Sequence, residues 1–220
     1  MKCKLTNKEI KPFMSFGKMP LANGFLNKDE FSSEYFFEME VGFSENLSLF
    51  QLNNHPNPEK MFNKKYPFYT GSSELMKLHF KKYAEWVKTK FLKSNSKLIE
   101  IGSNDGTCLS FFKDNDMKVL GVDPAIEIAQ KATEVEIETV IDFFNYDLAM
   151  DLCETYGSAK YITSHNACAH IDDLFSVVKG VERWLDEDGV FVLEVGYFVD
   201  VYTNTWFDTI YHEHLDFHTV

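Results

Sequence analysis

Three histidines fall within eight residues near the end of the chain, in the stretch YHEHLDFH at positions 211–218. Imidazole has a pKa near neutrality, so such a cluster could transfer protons as a general base. It could also bind a metal, because His212 and His214 have the i, i+2 spacing of ligands on one strand face, with His218 beyond. The residues alone leave an acid–base cluster, a metal site and a polar loop as alternatives.

A second group of residues could hold a nucleoside cofactor. In EIGSNDG, Gly102 and Gly106 allow a sharp turn and close approach of the backbone to a ligand. Asp123 ends the following apolar run and could accept hydrogen bonds from both ribose hydroxyls. A dinucleotide site favours G-x-G-x-x-G, whereas Asn104 occupies the second glycine position here. The spacing therefore favours a small amino-acid tail over a pyrophosphate and disfavours an NAD-dependent oxidoreductase, which we keep as a weaker alternative.

The elements that position these residues alternate between strands and helices from about residue 71 onward. Alternation of this length predicts βαβ units and an α/β fold with a doubly wound sheet of about five mostly parallel strands. The predicted strands are KLIEI, KVLGV, IETVI, KYITSH and VFVLEV. Ligands of such sheets bind at the carboxyl ends of the strands, which is where both the glycine loop and Asp123 fall.

Residues 1–70 have a different pattern, with Gly, Pro and Asn punctuating short aromatic-rich runs. We predict a small β-rich N-terminal lobe at 1–70 and a cofactor-binding domain at 71–220. A helix begins near residue 73, with Ser72 or Ser73 as its N-cap. Its predicted apolar face carries Leu75, His79, Tyr83 and Trp86.

Composition excludes several classes of partner. The net charge of −12 argues against binding to a phosphate backbone, so we expect no nucleic acid. No apolar run approaches the ~20 residues of a spanning helix, and no signal peptide is recognisable, so we expect a soluble cytoplasmic protein without membrane contact. The four cysteines are scattered, as in reduced proteins.

The motifs together resemble one enzyme family. IEIGSNDGT, VLGVDPA, IDFF, HNACAHIDD, GVFVLEVGYF and FDTIYHEHLDF, with MPLANGFL and KKYPFYTGSSELMKLHF before them, resemble the S-adenosylmethionine-dependent C-methyltransferases of deoxysugar biosynthesis. The resemblance runs through nearly the whole chain. It implies a Rossmann-like methyltransferase sheet, S-adenosylmethionine as cofactor, and a nucleotide-linked 4-keto deoxysugar as small-molecule substrate.

The resemblance also implies roles for individual residues. Its cofactor-binding residues match Gly102, Ser103, Asn104, Asp105, Gly106, Asp123, Asp142, Phe143 and Asn166. His214 matches the general base, and its partners and the other active-site groups match Glu213, Tyr211, His170 and Tyr66. His212 and His218 then become bystanders, no metal is expected, and His55, His79 and His165 are predicted to be surface residues.

These residue types suit an enolate mechanism. A C–H next to a ketone is weakly acidic, so its removal needs a base with a pKa near working pH, and imidazole supplies one. The enolate then needs Tyr or His donors at its oxygen. Its carbon attacks the sulfonium methyl group in line, so that alignment is the main contribution of the protein to this step.

The sequence departs from the family in two places. Family members carry two cysteine pairs in the N-terminal lobe as a structural zinc site, whereas only Cys3 remains here, so we expect a lobe without zinc. The family also continues past YHEH with further strands and a C-terminal domain, so we expect a C-terminally incomplete enzyme. Its VFVLEV strand would lie at or near a sheet edge. Either the C-terminal segment folds over that edge, another chain covers it in a homodimer or with a partner, or the chain is a partial gene product with impaired activity. The alternative is a non-catalytic remnant that binds the cofactor or a partner.

Overall fold

The computed structural model describes residues 1–113 and 116–219. These residues form two compact units. One unit comprises Met1–Lys65, Ala169–Asp172 and Val195–Val220, and the other comprises Tyr66–Cys168 and Asp173–Glu194. Two later segments, 169–172 and 195–220, group with the N-terminal lobe by their contacts. The division into domains at 1–70 and 71–220 stays a prediction.

The strands and helices alternate along most of the chain. The strands are β1 (Pro12–Pro20), β2 (Phe36–Ser44), β3 (Leu49–Leu52), β4 (Lys97–Ile101), β5 (Lys118–Val122), β6 (Thr139–Val140), β7 (Ala159–His165), β8 (Leu185–Glu194) and β9 (Asp216–Phe217). The α-helices are α1 (Pro58–Met61), α2 (Glu74–Phe91), α3 (Thr107–Lys113), α4 (Ile126–Glu134), α5 (Tyr146–Tyr156), α6 (Leu174–Trp184) and α7 (Phe198–Thr203). Short 3₁₀ turns cover Lys28–Ser33, Thr70–Ser72, Cys168–His170 and Phe207–Thr209.

The second unit contains the predicted parallel sheet, in the order β6-β5-β4-β7-β8. Each of its ladders is parallel, so the helices between the strands serve as crossovers. In the central strands Leu98, Ile101 and Ile162 are almost wholly buried, and each such side chain contributes about 1.5–3 kcal/mol. The predicted α/β fold and its five strands are confirmed. In the described residues, β8 has a strand neighbour on one side only, as expected for VFVLEV.

Helix α2 begins where the sequence predicted but buries a different face. The Ser73 hydroxyl accepts a hydrogen bond from the Met76 N–H, which caps the helix. The buried side chains are those of Phe80, Ala84 and Val87. The predicted face was wrong, since Leu75 is 79% exposed and Trp86 is 48% exposed. Both faces have helical spacing, and packing of Phe80 against the sheet core decides between them.

The first unit is built on an antiparallel sheet in the order β1-β2-β3-β9. Alternate residues of β2 point into its core, where Phe37, Met39 and Val41 meet Phe50 and Leu52 of β3. Residues from the distant end of the chain complete this core, because β9 pairs with β3. The segment 211–218 is therefore fixed to the N-terminal lobe by strand pairing. No helix in the described part of the chain is long and apolar enough to cross a bilayer.

Candidate functional site

The loop after β4 makes the sharp turn that its glycines predicted. Gly102 and Gly106 have φ values of +73° and +75°, a region that L-residues avoid. A Cβ atom on Gly102 would lie 2.3 Å from the Cβ of Ala167, so the loop and the residue after β7 are in close contact. The backbone is therefore held at the carboxyl end of the central strand, where a ligand can approach it closely.

Two predicted cofactor residues use their side chains to hold a neighbouring segment. The Asn104 amide accepts from the Thr70 N–H at 2.8 Å and donates to the Phe68 carbonyl at 3.0 Å. The Asp105 carboxylate accepts from the Gly71 N–H at 2.8 Å. These side chains tie residues 68–71 to the glycine loop. The contact of Asn104 and Asp105 with a cofactor stays a prediction.

Asp123 lies at the end of β5 and fixes the glycine loop from below. Its two carboxylate oxygens accept hydrogen bonds from the Asn104 N–H at 2.8 Å and the Ala125 N–H at 2.9 Å. Burial raises the pKa of this carboxyl to about 6, although the two backbone donors oppose the increase. Each oxygen keeps a lone pair beyond its backbone bond, so the carboxylate can still accept from two ribose hydroxyls.

The remaining predicted cofactor residues follow β4, β6 and β7 in the same parallel sheet. Asp142 and Phe143 are both exposed after β6, and the Asp142 carboxylate accepts from the Phe143 N–H at 2.7 Å. Asn166 is exposed after β7 with a φ of +53°. The hydroxyl of Ser103 is buried without a hydrogen-bond partner among the described residues. A nucleoside with an amino-acid tail fits this edge, which offers a tight backbone turn, an acceptor for ribose and an aromatic ring.

A buried polar cluster behind this loop was missed. His165 was predicted to be a surface residue, and this was wrong, because it is 9% exposed and its Nδ1 lies 2.9 Å from Glu100 Oε1. The ligand atoms of Glu100, Cys108 and His165 all lie within 4.8 Å of one another. Burial raises the pKa of the Glu100 carboxyl, while His165 opposes that increase. The cluster lies beneath the glycine loop at the end of β4.

The first unit brings four of the five predicted catalytic residues together, at 170 and 211–214. The His214 ring packs edge-on against Tyr211, with centroids 4.6 Å apart, and lies 5.3 Å from the His170 ring. Tyr66 belongs to the other compact unit, in the extended segment before α2. Its catalytic assignment stays a prediction.

His214 is held in the tautomer that a base needs. Its Nδ1 lies 2.7 Å from the carbonyl oxygen of Thr209, and a carbonyl can only accept, so Nδ1 carries the proton. In the neutral ring Nε2 then has the lone pair. Burial lowers the pKa of His214, although the Thr209 hydrogen bond and the charge of Glu213 oppose this effect. The ring is therefore neutral at pH 7 and can accept a proton.

Glu213 is a buried carboxylate surrounded by donors. The Tyr211 hydroxyl donates to its Oε2 at 3.0 Å, and the Asn23 side-chain amide donates to its Oε1. Burial by itself would raise the pKa of Glu213, but His212, His170 and Asn23 together hold it below its usual value. Burial and the adjacent carboxylate raise the pKa of Tyr211. Glu213 is thus ionised and Tyr211 protonated at neutral pH.

His170 is neutral and has one ring nitrogen available. Burial, reinforced by His214, lowers the pKa of His170 to about 4. Its Nε2 atom is buried and has no hydrogen-bond partner within the described part of the chain. The ring also stacks near Phe62, with centroids 5.9 Å apart.

The two predicted bystanders, His212 and His218, both have polar partners in the first unit, and their lack of a catalytic role stays a prediction. His212 is 2% exposed and its Nδ1 accepts from the Ala22 N–H at 3.1 Å, so it is buried and bonded rather than peripheral. His218 lies 2.6 Å from the buried carboxylate of Asp216. The Nδ1 atoms of His212 and His214 both bond to backbone groups, those of Ala22 and Thr209.

Two family models match consecutive parts of the chain. Residues 3–62 match a family described as "Putative zinc binding domain", and residues 76–219 match a family described as "Methyltransferase domain". The second match covers well over half of the chain.

The residues of the first match do not fit a zinc ion. Cys3 is the one cysteine between positions 3 and 62. Its thiol takes part in hydrogen bonds with Ser44 and Thr6, and these outweigh burial and lower the pKa of Cys3 to about 7. A structural zinc site needs four thiolate or imidazole ligands, and the hydroxyl groups of Ser44 and Thr6 are not among them. We derive no role for zinc in this chain.

Among curated proteins, the C-methyltransferase NovU of Streptomyces niveus is 30% identical over 206 residues. The match covers 93% of this chain and 49% of NovU, so the chain spans about half the length of that relative.

Solved structures share the fold. A SAM-dependent methyltransferase from Archaeoglobus fulgidus matches with a TM-score of 0.51 and 17% identity, over 62% of this chain and 58% of that one. The YcgJ protein from Bacillus subtilis matches with a TM-score of 0.50 and 20% identity, over 65% and 63%. At these identities the likeness is one of fold. The domain match over residues 76–219, together with this shared fold, shows that the chain belongs to the S-adenosylmethionine-dependent methyltransferases.

Proposed function

We propose that this chain takes part in the C-methylation of a nucleotide-linked keto-deoxysugar, with His214 as the base that generates an enolate. The observation that carries the proposal is the state of His214, whose Nδ1–H is held by the Thr209 carbonyl and whose Nε2 is left with a lone pair. The similarity to NovU supports carbon as the methylated atom. The sugar class rests on the motif resemblance.

The two compact units would supply different parts of the reaction. In the second unit, the glycine loop would hold the methionine part of S-adenosylmethionine, Asp123 the ribose hydroxyls, and Phe143 the adenine. The bound cofactor supplies an electrophilic methyl group that the enolate carbon attacks. The chain's own contribution to that step is to fix the loop, through Asp123 and the side chains of Asn104 and Asp105.

The first unit would carry out the proton transfer. His214 Nε2 takes a proton from the carbon next to the ketone. The C–H electron pair forms the C=C bond of the enolate, and the π pair of the carbonyl moves onto its oxygen. The positive charge that develops on His214 lies near ionised Glu213, which stabilises it. A positioned base of this kind contributes about 10²–10⁴-fold in rate.

The enolate oxygen needs a hydrogen-bond donor, and His170 is the favoured one. Its ring is neutral, and its buried Nε2 has no partner among the described residues. Tyr211 already donates to Glu213, so we assign it to holding that carboxylate rather than to the oxyanion. The two groups therefore have different roles, which their substitution by Phe would separate.

A second candidate function is non-catalytic binding of the cofactor or of a partner chain. The single neighbour of strand β8 in the described residues provides an edge to which a partner strand could add. Membership of the methyltransferases decides against the oxidoreductase alternative.

The experiment that tests the proposal combines cofactor binding with proton exchange. Calorimetry with S-adenosylhomocysteine measures the first function, and uptake of solvent deuterium by a nucleoside-diphosphate-linked 4-keto-6-deoxyhexose measures the second. The proposed enzyme shows both. A chain that binds S-adenosylhomocysteine but leaves the sugar unlabelled, with intact folding, supports the non-catalytic candidate instead.

A further inference from the structure

A turn at residues 21–24 contacts the catalytic segment although it lies about 190 residues away in sequence. The Gly24 N–H donates to the Leu21 carbonyl at 3.1 Å, which closes the turn. From it, the Ala22 N–H donates to His212 Nδ1 at 3.1 Å, and the Asn23 side-chain amide donates to Glu213 Oε1. The motif resemblance gave no role to Asn23, and it treated His212 as a bystander.

The contact with Ala22 determines the tautomer of His212. A backbone N–H can only donate, so Nδ1 must be the unprotonated nitrogen and the ring proton of neutral His212 is on Nε2. That Nε2 lies 3.4 Å from Glu213 Oε1 and makes no hydrogen bond to it or to any other described residue. The partial positive charge of the His212 Nε2 edge therefore lies beside the carboxylate without forming a hydrogen bond to it.

Glu213 needs such partners because it is buried. It is 2% exposed, and an ionised carboxylate out of water is costly unless hydrogen bonds compensate for its lost hydration. Asn23 and His212 act on Oε1, and Tyr211 acts on Oε2 from the other side. The other ionisable groups that face this carboxylate are His170 and His214.

We propose that Asn23 and His212 are positioning residues that keep the Glu213 carboxylate ionised and oriented beside His214. They do not touch the reacting atoms in this account, and they act through Glu213. The inference deepens the proposed function and rests on it where activity is concerned. The ionisation of Glu213 can be measured without any substrate, so the two ideas can fail separately.

The test is a pH titration of Glu213 that is monitored by NMR. The chain is labelled with ¹³C at the glutamate carboxyl carbons, and the Glu213 signal is identified by its loss in Glu213→Gln. We expect Asn23→Ala and His212→Phe each to raise the titration midpoint by at least one pH unit, a tenfold weaker acid. His212→Gln should stay close to wild type, because its amide can accept from Ala22 and donate to Glu213. The control Asn27→Ala, at an exposed helix cap in the same unit, should leave the midpoint unchanged.

If both Asn23→Ala and His212→Phe leave the Glu213 midpoint unchanged, the inference is overturned. Asn23→Leu, which keeps the volume but lacks the donor, replaces the alanine variant if that one fails to fold. Deuterium exchange then adds a second readout, where we expect a 10- to 100-fold slower rate at unchanged KM and recovery in His212→Gln. A wild type whose Glu213 titrates as expected but which exchanges no sugar proton supports the positioning role and contradicts the proposed function.

Discussion

Replacing Asp123 by Asn should separate cofactor binding from folding. In the folded chain burial raises the pKa of Asp123 from 3.8 to about 6. A raised folded pKa means that the ionised form destabilises the fold above pH 6, and that this cost disappears as pH falls from about 6 towards 4. Two pKa units correspond to roughly 3 kcal/mol. The amide avoids this cost but offers only one acceptor to two backbone donors, which offsets about 1–2 kcal/mol of the gain.

The same change should weaken the cofactor strongly. Two ribose hydroxyls lose a charged acceptor, and charge-assisted hydrogen bonds contribute about 1.5–3 kcal/mol each. A loss of about 3 kcal/mol corresponds to an affinity roughly 100-fold lower. We therefore expect Asp123→Asn to bind S-adenosylhomocysteine at least 100-fold more weakly at pH 8, with an apo melting temperature equal to or above that of wild type.

Calorimetry checks the loss of cofactor affinity, and thermal melts check the stability of the apo variant. Asp151→Asn, on the exposed surface of α5, is the matched control. Wild-type affinity should also fall about tenfold per pH unit below 6, because the carboxyl becomes protonated there. If Asp123→Asn binds S-adenosylhomocysteine within threefold of wild type, the assigned ribose site is wrong. If the apo variant melts well below wild type, the pKa argument is wrong.

Three further predictions concern the glycine loop, a buried ion pair and metal. Gly102→Ala should destabilise the chain by about 2 kcal/mol in denaturant titrations, because φ is +73° and the new Cβ meets Ala167. Adding Ala167→Gly should recover only the steric part of this loss, and full recovery would contradict the backbone argument. Lys4→Met should cost roughly 3 kcal/mol, because it removes the lysine partner of buried Asp216 and leaves only His218 beside that carboxylate. Lys77→Met at an exposed pair should cost under ~1 kcal/mol, and equal costs would contradict this. A zinc chelator should leave the melting temperature unchanged, and stoichiometric zinc by elemental analysis would contradict the zinc-free lobe.

The parallel sheet was predictable because its strands are buried on both faces and so read as short apolar runs between helical patterns. The capped start of α2 was likewise a local signal, in the Ser73 hydroxyl. The buried face of α2 was not predictable, since Leu75 and Trp86 have the same helical spacing as Phe80 and Ala84. Tertiary packing buries Phe80 and Ala84 and leaves the other pair exposed, with the small side chain of Ala84 in the core.

At the candidate sites, sequence gave the residue types but not their surroundings. The glycine loop and Asp123 follow from local turn chemistry. The burial of His165 depends on Glu100, which is 65 residues away, and that of His212 on Ala22, which is 190 residues away. No local sequence pattern can identify hydrogen-bond partners that are so far apart in the chain. The assignment of Tyr66 and of the catalytic histidines to different compact units also required the fold.

His214 is proposed to remove a proton from the sugar carbon that is methylated. The most direct test of this proposal is mass spectrometry of a nucleoside-diphosphate-linked 4-keto-6-deoxyhexose incubated in D₂O with wild type or His214→Ala. Wild type should incorporate one deuterium next to the ketone. His214→Ala should incorporate it at least 100-fold more slowly while binding S-adenosylhomocysteine as tightly as wild type. Exchange at the wild-type rate in His214→Ala would contradict the account.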